Sequence, residues 1–168
     1  MTKRVKLRRA TASDIPFVMQ TERVEGYGEL VGRWDEAQHG AALADKRYAY
    51  FIAEKCSEPV GFAILRDWAS AEEVTLVKRI AVVRPGGGYG KAIMRGVVDA
   101  AFTETSVHRL WIGCFPDNLR ARRTYEAIGF VTEGIARGSA FFLGRHRDEL
   151  ILSLLRPEWE ARRQTSGL

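Results

Sequence analysis

The amino-acid sequence predicts an α/β fold in one domain, and three observations carry that prediction. Strand-like and helix-like apolar patterns alternate along the chain with no low-complexity linker, internal repeat or biased segment between them. The apolar run Ile80-Ala81-Val82-Val83 breaks into Arg84-Pro85-Gly86-Gly87-Gly88-Tyr89-Gly90-Lys91-Ala92 and restarts as a helical pattern near Ile93. At 168 residues, 46% apolar and 28% charged, the chain suffices for one core burying about 70% of its unfolded surface.

Residues 4 to 9 alternate as a first strand with a basic solvent face. Thr11-Ala12-Ser13-Asp14 offers caps for a helix through Ile15-Pro16-Phe17-Val18-Met19. A second helix is expected near 34 to 46. Tyr48-Ala49-Tyr50-Phe51-Ile52-Ala53 reads as a strand, and Glu58-Pro59 turns the chain into its hairpin partner, Val60-Gly61-Phe62-Ala63-Ile64-Leu65. A longer strand from about 73 to 83 enters the glycine loop. Met94, Val97, Val98, Ala101 and Phe102 recur at helical spacing, which makes 91 to 103 an amphipathic helix. Arg109 to Phe115 is a buried-type strand closed by Pro116, and the helix before it makes it parallel to strand 73 to 83. Asp117 or Asn118 caps the next helix, which carries Ala121, Thr124, Tyr125 and Ile128 on one face and ends at Gly129. Strand-like runs at 130 to 142 and 149 to 155 complete the chain.

Composition narrows the function classes. No apolar run approaches the roughly 18 residues of a membrane span, and the basic N-terminus has no apolar signal-peptide core. No membrane association is expected, and a cytoplasmic location is the expectation. Cys56 and Cys114 stand alone without metal-ligand spacing, so two reduced, buried thiols and no metal are expected. Five of the basic residues behind the net charge of +5 fall within residues 1 to 9, and the rest of the chain balances at 21 basic against 21 acidic residues. No RNP, KH or zinc-knuckle pattern accompanies them, so nucleic acid is not expected as a partner.

A glycine loop between a strand and a helix is a candidate anion site. Glycines let backbone N–H groups converge on a ligand, and the helix adds unpaired amides and the positive end of its dipole. Two nucleotide spellings fail here. A nucleoside-triphosphate loop needs glycine at 85 and a hydroxyl at 92, where Pro85 and Ala92 stand, and GxGxxG fails because Lys91 or Ile93 occupies its last position.

Two separated segments resemble the GNAT superfamily of N-acetyltransferases, specifically its ribosomal-protein (RimJ and RimL type) branch. Ile80-Ala81-Val82 leading to Gly87-Gly88-Tyr89-Gly90-Lys91-Ala92 is similar to that family's Arg/Gln-x-x-Gly-x-Gly/Ala signature at Gly90 and Ala92. Asn118 to Phe130 looks like its Asn-x-x-Ser/Ala-x-x-x-Tyr-x-x-x-Gly-Phe, and Glu133-Gly134, Arg137, Asp148 and Pro157-Glu158-Trp159 are also similar to the branch. The resemblance implies a mixed, mostly antiparallel twisted sheet of about seven strands with about four helices. It also implies that a central parallel βαβ splay holds the cofactor, acetyl-CoA or coenzyme A, and that residues 1 to 168 form a single acyl-CoA N-acyltransferase domain.

The implied reaction transfers an acetyl group directly to a primary amine, either a small molecule or a peptide N-terminus. By resemblance Tyr125 is the general acid to the thiolate, Asn118 contacts the pantetheine arm, Ile80, Ala81 and Val82 supply main-chain contacts, and the 87 to 92 loop holds the diphosphate. The family's Arg or Gln falls on Gly87, which leaves backbone amides to carry that work with help from Lys91 or Arg84. A strand Glu five positions before the Asn, found in some members, is Gly113 here. Glu72 and Glu73 are therefore the candidate bases, with Glu22 and Glu25 behind them; all four are expected to be solvated, and water is the alternative carrier of the proton. Residues 22 to 40 and 138 to 148 are expected to build the acceptor pocket, with Trp34 packing the second helix and Arg120, Arg122 and Arg123 facing solvent, the alternative being that one of these arginines reaches the ribose phosphate. A catalytically silent acyl-CoA-binding or regulatory module is the alternative. Oligomeric state is open, and a homodimer is compatible with the sequence.

Overall fold

Period-two alternation and mostly antiparallel pairing organise the sheet. The computed structural model describes residues 4–166. It contains β1 (Lys6–Arg9), a 3-10 turn (Ala12–Asp14), α1 (Ile15–Glu22), α2 (Glu36–Ala44), β2 (Tyr48–Lys55), β3 (Glu58–Arg66) and β4 (Val74–Val82). There follow α3 (Tyr89–Glu104), β5 (Arg109–Cys114), α4 (Leu119–Ile128), β6 (Val131–Phe142), β7 (Arg145–Leu155) and α5 (Arg156–Ser166). One seven-stranded sheet runs in the order β1-β2-β3-β4-β5-β7-β6. All its neighbours are antiparallel except β4 and β5.

Because successive strand residues point to opposite faces, each strand feeds two cores. Phe51, Ala63, Leu65, Val77, Leu110 and Ile112 pack with Ile93, Met94, Val97 and Phe102 of α3. Tyr50, Ile52, Phe62 and Ile64 pack on the other face with Val18 and Ala42 of α1 and α2. Trp34 joins this second core as expected, its ring 5.4 Å from His39 and 6.2 Å from Tyr48.

Five α-helices stand where about four were expected. The additional one, α5, lacks a buried residue, so no apolar stripe marks it in the sequence. Point contacts hold it instead. Arg156 donates to the carbonyl oxygens of Phe102, Thr105 and Val107 at 2.9 Å, satisfying the open end of α3. Trp159 stacks on Phe102 with ring centroids 5.1 Å apart, and its indole N–H donates to Asp99. The last strand also begins earlier than expected, at Arg145 rather than 149, because its first residues are charged and pair across the hairpin with Phe142, Phe141 and Ala140.

Glu22 was expected at the solvated surface, and the structure corrects this. Its carboxylate is fully buried, with Arg79 Nη1 2.5 Å and His39 Nε2 3.0 Å from Oε1, and the Trp34 N–H donates to Oε2 at 3.3 Å. The His39 nitrogen is close without hydrogen-bonding geometry, while its Nδ1 lies 3.0 Å from the Tyr50 hydroxyl. A burial-driven rise in the Glu22 pKa is outweighed by His39 and Arg79, which hold it below the ordinary carboxylate value. The N-terminal basic face is likewise tied internally. Arg8 pairs with Asp14 and Glu54, and Arg9 pairs with Glu104 while lying over Phe51 and Trp68. Of the two cysteines expected to be buried, Cys114 is buried and Cys56 is exposed, in a tight turn with φ of 56°.

Glu22→Ala strands a buried Arg79 and is expected to cost about 3–5 kcal/mol in urea unfolding, whereas exposed Glu72→Ala should change stability by less than about 0.5 kcal/mol. The lowered folded pKa of Glu22 gives a stabilisation complete above its ordinary value and lost as pH falls through the folded value. A Glu22→Gln variant should therefore show less acid-dependent loss of stability than the natural chain. An unchanged acid profile would contradict this assignment.

Candidate active site

The site begins where β4 and β5 separate. They pair in parallel through only Val74–Arg109, Thr75–Leu110 and Leu76–Trp111. Beyond those pairs the strands part, and a cleft of about 1010 Å³ opens between Lys78, Ile80 and Val82 on β4 and Ile112, Gly113 and Cys114 on β5. That volume suits a large ligand. Each strand keeps an antiparallel neighbour on its outer side, β3 for β4 and β7 for β5, so the divergence leaves both strands supported.

The glycine loop lies at one mouth. Gly86, Gly88, Gly90 and Lys91 line the cleft, whereas Gly87, Tyr89 and Ala92 do not. Gly88, with φ of 78°, is the N-cap of α3 and provides no side-chain acceptor, so the first amides of this 16-residue helix have no side-chain cap. A Cβ placed at Gly88 or Gly90 would meet nothing within 4 Å, which leaves open space over those amides. One Nη of Arg120 lies 3.1 Å from where a Gly86 Cβ would stand. Arg120 was expected to face solvent with Arg122 and Arg123. It is exposed but lines the cleft, while Arg122 pairs with Glu126. A cation from α4 thus stands beside the loop that lacks one at Gly87. Backbone amides with Arg120 and Lys91 nearby suit a diphosphate.

Tyr125 and Asn118 reach the cleft from α4. Tyr125 is 7% exposed and burial pushes its phenol well above the ordinary value, so it stays protonated across the working pH range. Asn118 caps α4, its Oδ1 accepting from the Ala121 N–H at 3.2 Å, while also lining the cleft. Burial pushes the Cys114 thiol up to about 11, so it is protonated at neutral pH and poorly suited to nucleophilic attack.

Ile80, Ala81 and Val82 all lie on the wall, but both main-chain groups of Val82 are already bonded. The Tyr27 hydroxyl donates to the Val82 carbonyl at 2.9 Å and accepts from its N–H at 3.2 Å. A guest using those groups must displace Tyr27. Glu72 and Glu73 do not line the cleft. They sit exposed in the turn before β4, and the Glu73 carbonyl accepts from the His108 and Arg109 N–H groups at 2.8 and 3.1 Å. The acidic residues on the wall are Glu25 and Glu149. Sequence reasoning missed Glu149 because it approaches Gly113 from a neighbouring strand distant in the chain.

Residues 4–131 match the family described as the acetyltransferase (GNAT) domain, over three quarters of the chain. The chain belongs to the GNAT family. Among its curated relatives, YjcK of Bacillus subtilis strain 168, named as an N-acetyltransferase, is 43% identical over 75 residues, covering 42% of this chain and 41% of the relative. YdaF of the same organism, named as a ribosomal N-acetyltransferase, is 37% identical over 75 residues, covering 45% and 41%. The spermidine N(1)-acetyltransferase of Vibrio cholerae is 28% identical over 80 residues, covering 48% and 46%. These matches span less than half the length of each relative. A variant of the Vibrio cholerae spermidine N-acetyltransferase SpeG shares the GNAT fold at TM-score 0.81 and 20% identity, over 95% of this chain and 98% of that one.

Gly90→Glu fills the open space with negative charge but meets no protein atom at its Cβ, and an acid in the first helical turn favours the dipole. Its melting temperature should stay within about 3 °C. Calorimetry should show coenzyme A binding weakened about 10-fold or more. Unchanged affinity would rule out the loop as the diphosphate site.

Proposed function

We propose that this chain is an acetyl-CoA-dependent N-acetyltransferase that transfers an acetyl group directly to a primary amine. The observation that carries the proposal is the joint opening of one cleft to the uncapped start of α3 and to Tyr125, with Arg120 and Lys91 beside the loop. Placement in the RimJ and RimL type branch belongs to this proposal, as does the choice between a peptide N-terminus and a small-molecule amine. The relatives' names include a ribosomal and a spermidine N-acetyltransferase, so both acceptor kinds stay within the proposal.

When bound, acetyl-CoA supplies a thioester with a thiolate leaving group. The loop amides, Lys91 and Arg120 hold the phosphates, and Asn118 orients the arm from the start of α4. Tyr125 offers its phenolic hydrogen to the developing thiolate. Burial makes that phenol a weaker acid, and it acts on the thiol in parallel. A thiolate leaving in this cleft is correspondingly more basic than in water, so the phenol remains a useful donor.

The silent-module alternative drew on Gly87 and Gly113. Arg120 beside the loop weakens the first ground, since a cation is present there from another element.

Incubation with acetyl-CoA and a panel of primary amines and peptide N-termini, followed by thiol release, should give turnover. Tyr125→Phe should lower kcat about 10²-fold while coenzyme A affinity holds. Arg120→Ala should raise the KM for acetyl-CoA about 10-fold with kcat little changed. Absence of turnover with any amine would overturn the proposed activity.

A further inference from the structure

We infer that Glu149 is the proton acceptor for the attacking amine, an inference that rests on the acetyltransferase reading above. The residues first suited to that task are elsewhere or occupied. Glu72 and Glu73 are outside the cleft, and Glu22 is committed to Arg79 and His39. On the wall, Glu25 is exposed in the connection after α1, while Glu149 sits on a strand.

Three features fix that carboxylate. Gly113 pairs with Ile151 across β5 and β7, and Glu149, two residues along, shares the face of Ile151. The missing side chain at Gly113 is the space it enters, because a Cβ there would stand 2.6 Å from Glu149 Oε2 and 3.3 Å from its Cδ. Ser139 on β6 donates to Oε1 at 2.8 Å, which holds one oxygen and leaves the other toward β5.

Charged and polar groups of β4, β5, β6 and β7 surround that carboxylate. Lys78 of β4 lies within its field, and burial lowers the Lys78 pKa while Glu149 opposes that fall. Cys114 of β5 also feels it and is protonated at neutral pH. On β7, Arg147 is turned to Asp117, the Glu29 carbonyl and the Phe115 ring, and Asp148 accepts from the Gly138 N–H. On β6, Arg137 adjoins Ala136, the register partner of Glu149. No arginine is paired with Glu149 among the described residues, in contrast to Glu22 and Glu133. Ile112 and Cys114 are buried toward α3 and α4, and Trp111 and Gly113 face the opposite side of the sheet. Tyr125 and Glu149 therefore approach the parting from opposite faces, as a leaving group and an attacking group require.

The neutral amine forms its C–N bond to the carbonyl carbon, and a Glu149 oxygen takes the N–H proton that the new bond makes acidic. The C–S bond breaks with its electron pair on sulfur, and Tyr125 gives sulfur a proton. The proton on Glu149 returns to the phenolate through solvent, leaving amide and thiol.

Glu149→Ala should lower kcat about 100-fold, with coenzyme A affinity and melting temperature unchanged. Formate added to that variant, or Gly113→Asp combined with it, should restore kcat about 10-fold, since either returns a carboxylate to the same space. In the natural chain with coenzyme A present, the Glu149 carboxyl 13C resonance should move when benzylamine is added. A kcat within about 3-fold of the natural value, a loss confined to the KM for acetyl-CoA, a loss that neither formate nor Gly113→Asp restores, or a resonance unmoved by saturating benzylamine each overturns the assignment. Absence of turnover by the natural chain with every amine overturns the acetyltransferase reading instead.

Discussion

The site depends on one constraint, that two parallel strands stay paired for three residues and then part. A parallel pair cannot be closed by a tight turn, so a helix must connect its strands. That helix, α3, starts at the open end of the pair. The same topology that parts β4 from β5 therefore brings uncapped helix amides to the mouth of the cleft. At the closed end, the Glu73 carbonyl receives the N–H groups of both His108 and Arg109, which ties the start of β5 to the start of β4. At the open end the freed Val82 main chain is satisfied by Tyr27. Buried polar groups without partners are costly, so this hydroxyl removes a penalty that the divergence creates.

The wall facing α1 and α2 is stiffened by a buried charge cluster. Arg79 follows Lys78 on β4 and turns to Glu22, which lies under Trp34 and His39. Burying those charges is tolerable only because each finds a partner. The cluster fixes the end of α1, and the chain leaving α1 runs along the cleft as Glu25, Gly26 and Tyr27. The β4 wall and the chain that leaves α1 along the cleft thus share a common support.

The architecture was largely legible in the sequence because periodicity reports burial. The hairpin of β2 and β3, the βαβ unit and the helix from 119 to 128 each carry patterns of apolar spacing or end in a cap. The last helix was not legible, since α5 is held by arginine contacts to carbonyl ends and by one stacked tryptophan. The glycine loop at the cleft mouth was legible from its spelling, whereas which arginine of α4 stands beside it was not. Arg120 reaches the loop from another helix, and no local spacing encodes that approach. The carboxylates show the same limit. Glu22 looked like a surface residue because its partners Arg79 and His39 are remote in the chain, and Glu149 was invisible because its neighbour is a side chain that Gly113 lacks. Local order was written in spacing, and the pairing of charges was written only in the fold.

The central claim is that the parting of β4 and β5 receives the cofactor by its main chain. Amide hydrogen exchange with and without coenzyme A tests it most directly. Protection is expected at residues 86 to 92 and along 80 to 83, with the connection carrying Tyr27 becoming more exchangeable as its hydroxyl leaves Val82. Protection confined to other segments, with these amides unchanged at saturating coenzyme A, would contradict the account.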